Sequence, residues 1–111
     1  MPSSIMPIQQ ITAPQLKEML DRGEAFRFID VRTPGERAIA RIEGTTLLDK
    51  RCHDELLDLD RDTPVVFHCH HGIRSQAAAE YFAQAGFRNL SNLIGGIDAW
   101  SREVDPSVPA Y

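Results

Sequence analysis

The sequence predicts an α/β domain in which a parallel sheet is covered by helices on both faces. Short apolar segments alternate with amphipathic helical segments, and glycines and prolines separate them. Residues 64–68 form a continuous apolar strand, which is typical of strands buried on both faces of a parallel sheet. In such sheets ligands bind beyond the carboxyl ends of the strands, so functional residues are expected at that edge.

Each element in the first half of the chain has its own local pattern. Residues 9–11 are predicted as a short strand, and Thr12 caps a helix that ends at Gly23. The apolar residues of this helix share one face: Leu16, Met19 and Leu20. The next predicted elements are a strand at 25–30, a helix at 34–39, a strand at 45–48 and a helix at 50–59.

The second half continues the alternation. After the strand at 64–68, a helix is predicted from Ser75 to Gly86, then a strand at 89–93 and a short helix at 97–101. Gly95 and Gly96 are predicted to form the turn between these last two elements. Residues 1–111 are predicted to form one domain, with a loose lead-in at 1–8, a core at about 9–101 and an irregular tail at 102–111.

Composition excludes several classes of protein. The 111 residues can bury one core without disulfides, and two cysteines do not make a disulfide framework. A net charge of −4 without a basic face argues against a nucleic-acid partner. No apolar run approaches the ~20 residues that span a bilayer, so no membrane partner is expected. A reducing cytoplasm is the expected compartment, since it keeps Cys69 free.

The most informative segment follows the strand at 64–68. It is a six-residue loop from Cys69 to Arg74, and a helix is predicted to begin directly after it at Ser75. Backbone N–H groups at a helix N-terminus stabilise anions, including a thiolate. Gly72 supplies the positive φ that a tight loop needs, and Ser75 is predicted to cap the helix. The segment therefore predicts Cys69 as a nucleophile with a lowered pKa.

A cysteine at a strand end is also compatible with a structural role. Free cysteine is often buried and packs as a small hydrophobe. The glycine within the loop, the arginine at its end and the immediate helix favour the functional interpretation.

Three segments resemble the rhodanese family of sulfurtransferases. Residues 69–75 (CHHGIRS) resemble its active-site loop, residues 28–32 (FIDVR) with Glu36 resemble its first signature, and residues 95–100 (GGIDAW) resemble its C-terminal signature. The similarity covers residues 11–100, so the chain resembles a stand-alone, single-domain rhodanese of the bacterial type.

This resemblance implies a rhodanese-like fold with a roughly five-stranded, mostly parallel sheet and helices on both faces. It also implies a ping-pong reaction in which the Cys69 thiolate takes the outer sulfur of thiosulfate or a persulfide and passes it to cyanide or a thiol. The implied substrate-binding residues are His70, His71, Gly72, Ile73 and Arg74. The expected partners are small sulfur-containing anions, thiol acceptors or a sulfur-relay protein, and no cofactor is expected.

Alternative functions remain open at this point. A cysteine phosphatase or arsenate reductase also has a cysteine in an anion loop, but with five residues before the arginine, where Cys69 and Arg74 are separated by four. A sulfur-relay carrier or binding module would keep the persulfide without turnover. A metal site is suggested because all four histidines lie near a cysteine, yet their spacing matches no usual zinc pattern, so no metal ligand is predicted.

Other noted residues are predicted to be structural. Asp30 and Arg32 are expected to form an ion pair that supports the loop after their strand, and Cys52 is expected to be a partly buried helix residue. Trp100 is expected to pack in the core. Arg41 and Glu43 stand where many relatives carry His and Pro, which is expected to alter a surface turn only.

Overall fold

The computed structural model describes residues 7–111, so most of the predicted lead-in at 1–8 lies outside the described residues. Five parallel strands form one sheet in the order β1-β5-β4-β2-β3. The strands are β1 (Gln9–Ile11), β2 (Arg27–Asp30), β3 (Thr46–Leu47), β4 (Val65–His68) and β5 (Leu90–Leu93). The helices are α1 (Ala13–Asp21), α2 (Pro34–Ile39), α3 (Lys50–Leu57), α4 (Ile73–Gln84) and α5 (Gly96–Glu103). The predicted α/β class is confirmed.

The predicted boundaries differ most around the cysteine loop. Helix α4 begins at Ile73, two residues before the predicted start, and its N-cap is Gly72 with φ 103°. The prediction that Ser75 caps this helix is wrong, because Ser75 lies inside the first turn and its hydroxyl is used elsewhere. Helix α5 is longer than predicted and begins at Gly96. Between residues 7 and 111, no helix is long and apolar enough to cross a membrane.

Two apolar cores lie on opposite faces of the sheet. One core contains residues of α1 and α5 such as Leu16 and Trp100, and the other contains residues of α3 and α4 such as Leu56 and Phe82. Strand β4 contributes to both, because its side chains alternate between the two faces. Val66 belongs to the first core, whereas Val65 and Phe67 belong to the second. This arrangement explains the continuous apolar run at β4.

A buried ion pair lies at the carboxyl end of β2. The Asp30 carboxylate accepts two hydrogen bonds from Arg32, at 2.8 and 2.9 Å, and a third from Arg37 at 2.9 Å. Burial by itself raises the pKa of Asp30, but the bonds from Arg32 and Arg37 outweigh it and lower that pKa below its ordinary value. The predicted scaffold role of Asp30 and Arg32 agrees with this geometry. Removing Asp30 would leave the buried Arg32 charge without a carboxylate, at a cost of about 3–5 kcal/mol, whereas removing Arg32 would leave Asp30 paired with Arg37.

His68 is the neighbour of this pair across the sheet. It is paired in register with Asp30, is fully buried, and packs edge-on against the Phe28 ring with centroids 5.5 Å apart. Burial lowers the pKa of His68 to about 4. The Asp30 carboxylate, 3.8 Å from Nε2, favours the charged ring but does not prevent this shift, because Arg32 and Arg37 already balance its charge. His68 is therefore neutral at pH 7.

We expect His68 to make the protein less stable in acid. The unfolded chain takes up this proton near pH 6.5, whereas the folded protein does so only near pH 4. The free energy of unfolding should therefore fall by about 1.4 kcal/mol per pH unit between those two values, which urea unfolding can measure. A His68→Gln variant should lack this part of the slope. An NMR titration showing His68 protonated at pH 6 in the folded protein would contradict the prediction.

Candidate active site

Cys69 follows the last residue of β4, at the carboxyl edge of the sheet where the sequence predicted the functional residue. Its side chain is buried, with 1% of the residue exposed. The Sγ atom accepts a hydrogen bond from the amide of Gly72 at 3.0 Å and lies 3.3 Å from the hydroxyl of Ser75. The sulfur is therefore held within the turn between β4 and α4, as the predicted loop requires.

The loop backbone is held from the other side by α5. The amides of Ile97 and Asp98 donate to the carbonyl oxygens of Cys69 at 2.9 Å and of His70 at 3.2 Å. A Cβ atom on Gly96 would lie 2.3 Å from the Cys69 oxygen, and φ of Gly96 is +59°. Only glycine fits at this contact, so the Gly95-Gly96 pair does more than form the predicted turn. It lets the N-terminus of α5 pack directly on the cysteine loop.

Ser75 connects the sulfur to a second buried side chain. Its hydroxyl lies 2.5 Å from Oδ1 of Asn92 and 3.3 Å from Sγ of Cys69. Nδ2 of Asn92 donates to the carbonyl of Gly72 at 3.1 Å, which orients Oδ1 towards Ser75. A hydroxyl carries one proton, so Ser75 can donate to only one of these acceptors at a time. It can donate to Asn92 when Cys69 is a thiol and to Sγ when Cys69 is a thiolate.

The surroundings of Cys69 favour the thiolate. Burial alone would raise the pKa of Cys69, but hydrogen bonds from the Ser75 hydroxyl and from the amides of Ser75, Gly72 and His71 outweigh it and lower that pKa. Cys52 has the opposite balance, since burial and the nearby carboxylates of Asp49 and Glu55 raise its pKa. The surroundings therefore favour the thiolate at Cys69 and the neutral thiol at Cys52.

Arg74 is paired with a carboxylate that the sequence did not assign to it. Its guanidinium makes two bonds to Glu36, at 2.7 and 2.9 Å, and this pairing raises the pKa of Arg74. The same contact, with a hydrogen bond from Tyr111, lowers the pKa of Glu36. Glu36 also completes the capping box of α2 with Thr33. The guanidinium therefore stands at the rim of the loop, and backbone amides make the direct contacts with Sγ.

Tyr111 contacts Arg32, Glu36 and His70 at the edge of the cysteine loop. Its hydroxyl accepts from Arg32 at 2.9 Å and donates to Glu36 at 2.7 Å. Its ring stacks on that of His70, with centroids 4.0 Å apart and an interplanar angle of 9°. The predicted tail is thus anchored at the cysteine loop. The sequence offered no indication of this, because one aromatic residue in an irregular tail has no periodic pattern.

The predicted loop residues lie together in the structure, but several of their side chains point to solvent and do not contact the sulfur. The side chains of His71 and Ile73 are exposed, with Ile73 at 81%. Together with Gln76 and Ile94 they line a shallow depression of about 470 Å³ beside the loop. Ser75 and Asn92, which the sequence did not place in the site, supply the support behind the sulfur. A polar residue inside the predicted strand at 89–93 was the available signal for Asn92.

Comparisons with known proteins identify the family of the chain. The family model described as rhodanese-like domain matches residues 12–103. Thiosulfate sulfurtransferase GlpE of Pseudomonas aeruginosa is 35% identical over 100 residues, which cover 89% of this chain and 88% of that protein. The probable adenylyltransferase/sulfurtransferase MoeZ of Mycobacterium tuberculosis is 36% identical over 104 residues. Those residues cover 91% of this chain, which spans about a quarter (26%) of the length of MoeZ.

Solved structures show the same fold. A rhodanese-like domain protein from Staphylococcus aureus has a TM-score of 0.74 at 27% identity, covering 94% of this chain and 99% of its own. A rhodanese-related protein from Thermoplasma volcanium has a TM-score of 0.71 at 30% identity, covering 93% of this chain and 99% of its own. The predicted family resemblance is confirmed.

We expect Ser75→Ala to raise the pKa of Cys69, because it removes one donor to the thiolate. The midpoint of the pH dependence of Cys69 alkylation by iodoacetamide should move to higher pH. Measurement in a Cys52→Ala background restricts the reaction to one thiol. Ser91→Ala is the matched control, because Ser91 is a buried serine that bonds Gln9 and not the sulfur. An unchanged midpoint in Ser75→Ala would count against the proposed role of the hydroxyl.

We expect Gly96→Ala to be much more damaging than Gly23→Ala. Both glycines have positive φ, at +59° and +69°, so both substitutions carry a backbone cost of about 1–2 kcal/mol. Only at Gly96 would the new Cβ collide with backbone, 2.3 Å from the Cys69 oxygen, whereas at Gly23 it meets nothing within 4 Å. Urea unfolding should show the larger loss for Gly96→Ala. Equal losses would mean that α5 does not pack tightly on the loop.

Proposed function

The chain belongs to the rhodanese-like family of enzymes, and we propose that it is a sulfurtransferase that carries one sulfane sulfur as a persulfide on Cys69. The observation that carries this proposal is the position of Sγ, which is buried, hydrogen-bonded by Gly72 and Ser75, and has a lowered pKa. A site of this kind stabilises a sulfur anion through hydrogen bonds from the loop and from Ser75. The similarity to thiosulfate sulfurtransferases supports the same reaction class.

In the first half of the reaction, the Cys69 thiolate attacks the outer sulfur of thiosulfate or of a persulfide. A new S–S bond forms on Cys69 while the donor's own S–S bond breaks, and the electron pair leaves with sulfite or with the donor thiolate. In the second half, a nucleophile attacks the outer sulfur of the Cys69 persulfide. The Cys69 thiolate leaves, and its regeneration closes a ping-pong cycle.

The loop supplies electrostatic stabilisation in both halves. The amides of the loop are already oriented towards Sγ, so they stabilise the thiolate and the anionic persulfide without reorganisation. The remaining predicted residues lie around the opening of the cysteine loop and would contact the part of the donor that does not transfer. They are His70, His71, Ile73 and Arg74. Four residues separate Cys69 from Arg74, one fewer than in the anion loops of cysteine phosphatases and arsenate reductases, so this loop is smaller than one that holds a phosphate. This disfavours the phosphatase and arsenate reductase alternatives.

We propose a thiol as the acceptor in the cell, carried by a small molecule or by a sulfur-relay protein. Cyanide serves as its substitute in an assay. The reaction requires Cys69 as a free thiol, which suits a reducing cytoplasm. Cys52 has a raised pKa and packs in the core with Leu56, so no role in transfer is assigned to it.

We expect Cys69→Ala to abolish sulfur transfer from thiosulfate to cyanide, because no other group can form the persulfide. Cys52→Ala is the matched control and should retain most of the activity. After exposure to thiosulfate, intact mass spectrometry should find one added sulfur atom, located on the peptide that contains Cys69. Transfer at the wild-type rate by Cys69→Ala, or an added sulfur on Cys52, would refute the proposed mechanism.

A further inference from the structure

A second group of reactive side chains lies where the cysteine loop meets α5. His70, His71 and Asp98 each offer one possible ligand atom, and these atoms lie within 4.8 Å of one another. His70 and Asp98 are half-buried and His71 is exposed, so the group faces solvent while resting on the fold. The sulfur-transfer reaction proposed above uses the loop amides and does not use this cluster of imidazoles and carboxylate.

The backbone explains why residues 28 positions apart come together. The amide of Asp98 donates to the carbonyl of His70 at 3.2 Å, at the glycine contact between α5 and the loop. Asp98 lies in the first turn of α5, and its carboxylate faces the two histidines of the loop. The sequence predicted no metal ligand set here, because Asp98 belongs to a different element from the two histidines.

The His70 ring is held in place on both faces. It stacks on Tyr111 with centroids 4.0 Å apart and on His71 with centroids 3.9 Å apart. Its Nε2 atom is buried and has no hydrogen-bond partner within residues 7–111. Buried polar atoms almost always have a partner, so this ring nitrogen is available to a ligand.

The chemistry of the three side chains selects a class of ion. Two imidazoles and one carboxylate suit borderline first-row cations, and zinc above all accepts three such protein ligands while keeping a fourth position open. Ligand atoms around a tetrahedral zinc are about 3.4 Å apart, given bonds of about 2.1 Å. The present separations are within 4.8 Å, and because the rings of His70 and His71 are stacked, the exposed His71 ring must turn out of the stack to direct a nitrogen at the same ion. The competing bond from Arg102 to Asp98, 3.1 Å long, is an exposed i,i+4 contact and is weak.

We propose that His70, His71 and Asp98 form a reversible binding site for a divalent first-row cation, with zinc as the best fit, and that the bound ion slows sulfur transfer at Cys69. Both histidines belong to the loop that surrounds Sγ, so an ion that joins their rings to α5 restrains the loop and occupies its mouth. The slowing of transfer rests on the function proposed above. The binding of the ion does not.

The binding test uses Cys69→Ser, because the thiol would itself bind zinc and because this variant carries out no transfer. Calorimetric titration with zinc chloride at pH 7.5 should show one ion bound per chain. Adding Asp98→Asn should weaken binding at least about tenfold, since an amide is a much poorer ligand than a carboxylate. Adding Asp54→Asn is the matched control: Asp54 also contacts a histidine, His53 at 2.9 Å, and its loss should change nothing.

Two results would overturn the site: no zinc binding by Cys69→Ser, or equal binding after Asp98→Asn. If Cys69→Ser does not fold, the wild-type protein alkylated at Cys69 replaces it. The visible spectrum of the cobalt complex of that protein should then show nitrogen and oxygen ligation that Asp98→Asn abolishes.

The effect on sulfur transfer is tested separately in the protein with Cys69 intact. Zinc should inhibit transfer from thiosulfate to cyanide, and Asp98→Asn should retain the basal rate while requiring at least about tenfold more zinc for the same inhibition. Binding without inhibition would overturn the regulatory half of the proposal. A protein with no transferase activity that still binds zinc through Asp98 would refute the proposed function and leave the metal site standing.

Discussion

The site depends on one balance of forces at the Cys69 sulfur. Burial alone would keep it a neutral thiol, and the surrounding N–H and O–H donors reverse that preference. Those donors come from the turn into α4, and the turn keeps its shape because α5 packs on it at Gly96, where a Cβ atom cannot fit. The conformation of a glycine pair far along the chain therefore controls the ionisation of the cysteine.

The arginines near the site form ion pairs with carboxylates of the protein. Arg32 is bound to the buried carboxylate of Asp30, and Arg74 is bound to Glu36 at the rim. Tyr111 joins the two pairs through its hydroxyl. Since these guanidinium charges are balanced, the groups that stabilise an anion at the sulfur are the Ser75 hydroxyl and the backbone amides of the loop. Amides have fixed directions, so they stabilise an anion on the sulfur without reorganising.

The residues of the cysteine loop take part in two kinds of interaction, one through their backbone and one through their side chains. The amides of His71 and Gly72 serve the sulfur, while the rings of His70 and His71 face α5 and Asp98. Because backbone and side chains of the same residues have different partners, a ligand on the rings can act on the sulfur site without touching the sulfur. This is a short-range coupling through a shared loop, and it needs no larger change of shape.

The sequence by itself predicted the α/β fold and proposed Cys69 as the nucleophile, because periodicity, turn residues and the Cys69-to-Arg74 loop are local properties of the chain. Its resemblance to three rhodanese signatures predicted the family. The sequence pattern misplaced the start of α4, because Gly72 at positive φ starts the helix earlier and leaves Ser75 free for the sulfur. Only the tertiary structure decided which distant groups meet the loop, namely Asp98 and Tyr111. Such contacts depend on how elements pack across the sheet, and no local pattern records that packing.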